Sequence, residues 1–383
     1  MNVEKATSSQ LRRHNRQLVL RAVFTDLANN RAALALETGL TKPTVSDLVS
    51  ELIDEGLLVE TELGQSTTSG GKRPRLLRFV PDARQVIGVF INGTSVSGVL
   101  TNLDGQIIAE HYADLPESEA VVDILSEVIN GLVAQLSAPL LCLGVGISAV
   151  VDSTRGVIAY APHLGWEEMP LARILSERHG VPVYVSNSTE LAALAQLSFG
   201  NVNCCNLATV LVGDGVGVGL ALAGNGSYHT GSEIGHMKIR TAEGNPVKAL
   251  KDFLGWAYVC ERALILGHEW NSPYLQDSDL TYLHIRKAIA NQDRAALMLQ
   301  DELAHYLAEI FAWIIALLSP DHISLAGQIA DLGEDFLRHI VDKTADLVLP
   351  SLVQKTAFSV DNTANLVGLG AAAAAIRHEL GLV

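Results

Sequence analysis

The apolar residues of segment 41–56 are Val45, Leu48, Val49, Leu52 and Ile53. This i, i+3, i+4, i+7, i+8 series lines one face of a helix. Thr41 stands at the N-cap position, Pro43 falls in the first turn where its missing N–H costs little, and Gly56 ends the run. Immediately upstream, Arg31 to Leu40 reads as a short helix closed by a turn at Gly39. Further upstream, Leu11, Leu18, Val19, Ala22 and Val23 share one face of a helix over 9–27, with Arg12, Arg13, Arg16 and Arg21 away from it. After Gly56 come a strand over 57–63, a Gly/Ser/Thr-rich tip over 64–71, and a second strand that follows Lys72, Arg73 and Arg75. Helix, short helix, glycine turn, capped helix and hairpin with a basic base together predict a winged helix-turn-helix.

At Pro81-Asp82-Ala83 the pattern changes to alternating apolar strands with glycine turns. Strands are expected over 85–91, 95–101 and 106–112, then a helix over 118–136, a buried strand over 140–149, a helix over 171–179, a strand over 181–186 and a helix over 189–199. From Asn206 the opening plan repeats, with strands over 207–212 and 216–223 and glycine turns after each. This weak duplication suggests two similar lobes with a cleft between them. Helices over 247–266, 281–290, 293–318 and 331–347, a strand over 322–326 and an Ala-rich helix over 364–380 complete the chain. The expected fold class is α/β, an N-terminal winged helix-turn-helix followed by a two-lobed actin/hexokinase-like body. The expected division is a DNA-binding head over 1–80, a linker over 81–84, one lobe over 85–200, and a second over 201–383 whose last helix returns to the first lobe.

Charge sharpens this division. The chain carries a formal net charge of −15, from 27 Lys and Arg against 42 Asp and Glu. Its first 80 residues hold eleven of those cations and nine of the anions, so they are net positive while the remainder is strongly acidic. Attraction to nucleic acid is therefore confined to one end. The four cysteines (Cys142, Cys204, Cys205, Cys260) show no CxxC spacing, which argues for a reducing, cytoplasmic setting and against a thiolate metal site. Neither a secretory leader nor a membrane partner is expected.

Several glycine-rich stretches, taken together, resemble the ROK family (repressors, open reading frames and sugar kinases) over nearly the whole chain. They are Gly144-Val145-Gly146-Ile147, Ala161-Pro162-His163-Leu164-Gly165-Trp166, Gly213-Asp214-Gly215-Val216-Gly217-Val218-Gly219, Glu233-Ile234-Gly235-His236-Met237, Ser324-Leu325-Ala326-Gly327 and Gly368-Leu369-Gly370-Ala371-Ala372. In the kinase members the resemblance implies an Asp in the first strand that organises metal and phosphate; here that position holds Phe90. It also implies an Asn-Asp pair whose Asp is the general base, and here the pair reads Asn187-Ser188. An aromatic ring cannot hold Mg²⁺ and a serine is no base at neutral pH, so no catalytic residues are expected. The family's zinc cysteines have no counterpart in 244–254, so neither metal nor cofactor is expected.

The sugar-contacting positions implied by the resemblance map to Ala149, His163, Asn187 with Ser188, Glu233 with His236, and Trp256. Of these, Asn187, Glu233 and His236 keep the family's residue types. A carboxylate, an imidazole and an amide suit adjacent hydroxyls, and His163, Asn187, Glu233 and His236 are the candidate effector-binding residues. Bracing of a turn is the competing role for Glu233 and His236. The candidate DNA-binding residues are Thr41, Lys42, Thr44, Ser46, Asp47 and Ser50 on the helix and Lys72, Arg73 and Arg75 on the wing. Family regulators often carry Arg where this chain has Asp47, and a carboxylate can accept from a cytosine N4–H. Together these features predict a regulator, most simply a repressor of sugar or related metabolism. As a homodimer or tetramer it would bind a palindromic double-stranded DNA operator under control of a sugar or sugar-phosphate effector. The rival expectations are a sugar kinase with an appended DNA-binding head, in which Asp214 substitutes for the lost groups, and an effector-independent DNA-binding protein.

Overall fold

The computed structural model describes residues 7–63, 73–115, 121–200, 202, 204–222, 228–239, 248–277 and 279–382. Three helices open the chain, α1 (Ser8–Phe24), α2 (Arg31–Thr38) and α3 (Lys42–Asp54), followed by the antiparallel strands β1 (Leu58–Leu63) and β2 (Arg75–Phe79). Each helix start is capped by a side chain: Thr7 forms a capping box with Gln10, Asn30 accepts from Ala32 and Ala33, and Thr41 accepts from Thr44. Gly39 ends α2 at φ +68°, a left-handed conformation that glycine adopts without steric cost, and this sharp turn delivers the chain into α3. Val45, Leu48, Val49 and Leu52 are buried as their spacing predicts. Phe24 and Phe79 meet edge to face with ring centroids 5.1 Å apart, tying α1 to the hairpin. The wing tip and Lys72 lie outside the described residues.

Two five-stranded sheets of the same design form the body. The first comprises β3 (Gln85–Ile91), β4 (Ser95–Asn102), β5 (Ile107–Asp114), β6 (Leu140–Ile147) and, after three short strands, β10 (Val183–Asn187), in the spatial order β10-β6-β3-β4-β5. Those short strands, β7 (Val150–Asp152), β8 (Val157–Ala161) and β9 (Trp166–Met169), make a small antiparallel flap that was not expected from the sequence. Helices α4 (Val121–Val133), α5 (Leu171–His179) and α6 (Ser188–Ser198) complete this lobe.

The second sheet comprises β11 (Asn206–Val212), β12 (Val216–Leu222), β13 (Tyr228–Ser232), β16 (His322–Ala326) and β17 (Ala357–Asp361), in the order β13-β12-β11-β16-β17. In both sheets the first strand pairs antiparallel with the second and parallel with the fourth. The duplication read faintly in the glycine turns is therefore a duplication of topology. Between β13 and β16 lie the two-residue strands β14 (Lys238–Ile239) and β15 (Lys248–Ala249) and the helices α7 (Lys251–Leu254), α8 (Trp256–Glu269), α9 (Tyr282–Ala290) and α10 (Arg294–Leu318). The helices α11 (Glu334–Leu347) and α12 (Pro350–Val353) precede β17, and α13 (Leu366–Leu380) ends the chain. The continuous helix expected over 247–266 is broken at Gly255, whose backbone is extended and whose added Cβ would lie 2.7 Å from the Asp214 carbonyl oxygen. Among the described residues no helix is long and apolar enough to cross a membrane.

Two helices of small residues hold the layers together. An α-carbon substituent on Gly144 in β6 would sit 1.9 Å from the Ala371 carbonyl oxygen, so α13 lies directly on the first sheet. On Gly219 in β12 it would sit 1.8 Å from the Thr189 carbonyl oxygen, so α6 lies as closely on the second. Both helices are buried on most sides, which is why neither shows amphipathic spacing. The head is not tethered loosely to this body. Val19, Leu20, Val45, Leu57 and Phe79 belong to one hydrophobic core with Val86, Leu103 and Cys142 of the first lobe and Ile376, Leu380 and Leu382 at the chain's end. Residues Pro81–Ala83 form one turn of 3₁₀ helix, fixed by Asn102 Nδ2 donating to Asp82 Oδ1 at 2.8 Å and by the Leu103 N–H donating to the Pro81 carbonyl.

Candidate functional site

Open α/β sheets present ligand-binding loops beyond the ends of their parallel strands, such as β6 and β10 in the first lobe and β11 and β16 in the second. Asn187 ends β10 and caps α6. Its Oδ1 accepts from the Thr189 N–H at 2.9 Å and from the Thr189 hydroxyl at 2.7 Å. Its Nδ2 donates to the Ala149 carbonyl at 3.0 Å and crosses the cleft to Glu233 Oε1 at 2.9 Å. Every hydrogen-bonding atom of this amide is thereby used, which fixes which way it faces. A Cβ on Gly231 would lie 2.1 Å from Asn187 Oδ1, so glycine in β13 permits the second lobe to approach this closely. His236 Nε2 stands 3.9 Å from Glu233 Oε2 at the far end of a 3₁₀ turn, and both side chains are solvent-accessible.

His163 lies within the flap, between β8 and β9, and shares the electrostatic surroundings of this group. Burial lowers its pKa, Lys251 and His236 lower it further, and Glu233 works against them. Asn187, Glu233 and His236 are thus brought together, with His163 in their electrostatic neighbourhood. Ser188, the next residue along, is buried and turned away, its hydroxyl 2.9 Å from that of Ser148. Trp256 is half-buried against Tyr282, ring centroids 4.7 Å apart. Phe90 packs against the cluster of Leu191, Val367 and Ala371 between α6 and α13.

Asp214 lies in the turn between β11 and β12, beside Thr94 of the first lobe. Burial raises the Asp214 pKa, and the neighbouring Thr94 opposes that rise. Thr189 was missed as a site residue, although the succession Asn187-Ser188-Thr189 carries an N-cap signal. Lys251, too, was absent from the expected set.

The second candidate surface is the head. Thr41, Lys42, Asp47 and Ser50 are exposed on α3, whereas Thr44 and Ser46 are half-buried. Thr41 and Thr44 share a hydroxyl–hydroxyl hydrogen bond of 2.8 Å, and the Ser50 hydroxyl donates to the Ser46 carbonyl at 2.9 Å. Arg73 is exposed at the wing base. Arg75 is exposed but pairs with Glu60 at 2.8 Å, a carboxylate that also receives Arg31 and whose pKa those two guanidiniums lower. Arg12 and Arg16 of α1 pair with Glu51 and Glu55 at the far end of α3, so they hold the head together.

A three-helix head with a β-hairpin, seated on a two-lobed body of duplicated α/β topology, has the layout of a winged helix-turn-helix joined to an actin/hexokinase-like scaffold. The ROK family model matches residues 86–378, and the chain belongs to that family. The xylose repressor of Bacillus spizizenii is 27% identical over 392 residues, covering 99% of each chain. The N-acetylglucosamine repressor of Escherichia coli O157:H7 is 27% identical over 326 residues, covering 80% of this chain and 79% of that one. Among solved structures, a ROK family transcriptional regulator described as a homologue of the E. coli MLC protein superposes with TM-score 0.80 at 21% identity, covering 97% of this chain and 96% of that one. A ROK family glucokinase from Streptomyces griseus, in complex with glucose and AMPPNP, superposes with TM-score 0.67 at 22% identity. It is covered to 99% by only 77% of this chain. The fold is therefore shared with a regulator over nearly the whole of both chains, and with a kinase apart from a remaining portion about the size of the head.

Proposed function

We propose that the protein is a DNA-binding transcriptional repressor of genes for sugar or related metabolism, with α3 and the wing reading an operator and the cleft receiving a small carbohydrate effector. The observation that carries this reading is the pairing of a solvent-facing α3 surface with a cleft that keeps Asn187, Glu233 and His236 while Phe90 and Ser188 stand where phosphate transfer needs carboxylates. Lys42 and Arg73 supply charge to phosphates, Thr41, Thr44, Ser46 and Ser50 supply hydroxyls, and Asp47 sits where it can accept from a base edge. Lys72 and Arg75 belong to the same wing, with Arg75 exchanging Glu60 for a phosphate. The repressor works as a homodimer on a palindromic site whose half-sites lie about one or two helical turns apart.

Effector control follows from the same amide. A ligand that accepts from Asn187 Nδ2 in place of Glu233 breaks their mutual bond, and Asn187 caps the helix, α6, that lies on the second sheet and against α13. The end of α13 in turn grips α1, where Arg13 donates to the His378 carbonyl at 2.7 Å and Gln17 to the Glu379 carbonyl at 3.4 Å. Unequal affinity for two arrangements of this chain of contacts shifts DNA affinity.

Selection of genomic DNA fragments by the full chain tests the reading: one or a few sites should bind saturably, more weakly as salt rises. A coupled assay of hexoses with ATP and Mg²⁺ should give no turnover. Sugar phosphorylation that Asp214→Ala abolishes would overturn the assignment to a regulator.

A further inference from the structure

Tyr184 is half-buried at the joint between head and body, and it stands near the start of β10, the strand that Asn187 ends at the cleft. At about 3.3 Å per residue the two positions are only about 10 Å apart along one strand. β10 runs parallel to β6, with Tyr184 opposite Gly144 and Asn187 opposite Ile147, and it is the edge of the first sheet. A shift of an edge strand is opposed by one ladder of hydrogen bonds instead of two.

The Tyr184 side chain meets the end of α13. Its hydroxyl donates to Glu379 Oε1, and its ring lies flat on His378, centroids 4.6 Å apart and planes 6° from parallel. Burial raises the Tyr184 pKa and the Glu379 carboxylate raises it further, so the hydroxyl keeps its proton and remains a donor. The same two residues of α13 hold the head by their backbones. The His378 carbonyl accepts from Arg13 at 2.7 Å and the Glu379 carbonyl from Gln17 at 3.4 Å. Gly381, left-handed at φ +69°, brings the chain against α1, since a Cβ there would lie 2.8 Å from the Gln17 Cβ. Between Asn187 and α1 there are thus a strand of five residues, one side-chain hydrogen bond and the last turn of α13.

We infer that Tyr184 is the positioning residue through which the cleft acts on the head: its bond to Glu379 makes the end of α13 follow β10, so that an effector exchanging the Asn187 contact shifts α1 on its seat. This rests on the effector reading proposed above and names the residues that transmit it. The surrounding apolar core holds head to body but has no preferred direction, whereas the Tyr184–Glu379 bond survives only while strand and helix keep one relative position.

The test is fluorescence anisotropy of the full chain on its selected DNA fragment, in wild type, Tyr184→Phe, Glu379→Leu and Glu379→Gln. The probes are xylose, glucose and N-acetylglucosamine, each neutral and as its anionic phosphate ester, and isothermal titration gives their affinities with and without DNA. In wild type at least one probe should lower DNA affinity about fivefold or more, and DNA should weaken that probe to the same degree. Tyr184→Phe keeps the ring on His378 and loses only the bond, so its DNA affinity without probe should stay within about threefold of wild type. The probe should still bind this variant, but its effect on DNA should fall below about twofold, with equal probe affinity in the presence and absence of DNA. Glu379→Leu removes the acceptor and should behave alike, and it decides alone should Tyr184→Phe not fold. Glu379→Gln keeps an acceptor and should retain the wild-type response. A probe response unchanged in Tyr184→Phe overturns this inference and leaves the effector reading standing. Loss of DNA binding by folded Tyr184→Phe without any probe also overturns it, making the pair a structural brace. A wild type whose DNA affinity no probe changes overturns both.

Discussion

The joint between head and body and the cleft between the lobes are both contacts between large units, yet they are made of opposite materials. The joint is mostly apolar: Leu20, Ile376, Leu380 and Leu382 sit in one core with the helix-turn-helix residues, and Arg13 and Gln17 add two hydrogen bonds at its edge. The cleft is bridged by a directional polar contact, Asn187 to Glu233 at 2.9 Å. Apolar burial is non-directional and opposes separation of the units as a whole, whereas a hydrogen bond can be exchanged for one to a ligand at little net cost. This contrast suits the proposed effector control: the head stays joined while the polar contact at the cleft is the one a ligand can exchange.

This contrast makes predictions that differ sharply in size. The largest concerns the head cut out as residues 1–80. Without Ile376, Leu380 and Leu382 its core is open, and a circular dichroism melt should show no cooperative transition; a sharp, reversible melt would place the head's stability within its own residues. In the full chain, Leu380→Ala should cost about 2–5 kcal/mol in urea unfolding. It should also weaken DNA binding, because the seat of α1 is lost. On the DNA side, Lys42→Ala should weaken binding about evenly across sequences and reduce the salt slope by about one, whereas Asp47→Ala should alter sequence preference; both are read by fluorescence anisotropy.

A smaller effect separates the two regions by pH. Burial lowers the pKa of His378 at the joint, with Arg377 and Arg13 adding to it, and burial likewise lowers that of His322 in the second sheet. A histidine whose folded pKa lies below its ordinary value adds stability above about pH 6.5 that is lost as pH falls through the folded value. Melting temperature should therefore drop from pH 7 to 5.5, and His378→Gln should flatten that drop. The smallest effect belongs to the cleft: Glu233→Gln keeps an acceptor for Asn187 and should change stability by less than about 0.5 kcal/mol. It should nevertheless abolish the effector's influence on DNA binding.

How much of this was legible in the sequence depended on whether one residue's neighbours in the chain were also its neighbours in space. The face of α3, the Gly39 turn, the caps and most strand positions are local, and the sequence pattern located them. So did the grouping of Asn187, Glu233 and His236, through family motifs and not through spacing. The apolar joint was invisible because α13 is Ala- and Gly-rich, and a helix buried on most sides shows no period to read. Residues 81–84, read as a linker, carry no signal that Asp82 would find Asn102. The break at Gly255 depends on the Asp214 backbone, 41 positions away, and the place of Lys251 on a pairing of β14 with β15 that two-residue strands cannot announce.

The most direct test of the account is a single titration: the full chain bound to its selected DNA fragment, challenged with the anionic and neutral carbohydrates, in wild type and in Glu233→Gln. The account predicts release of the DNA from the wild type by at least one carbohydrate and no release from the variant. DNA affinity identical with and without every carbohydrate, or release that persists in Glu233→Gln, would contradict it.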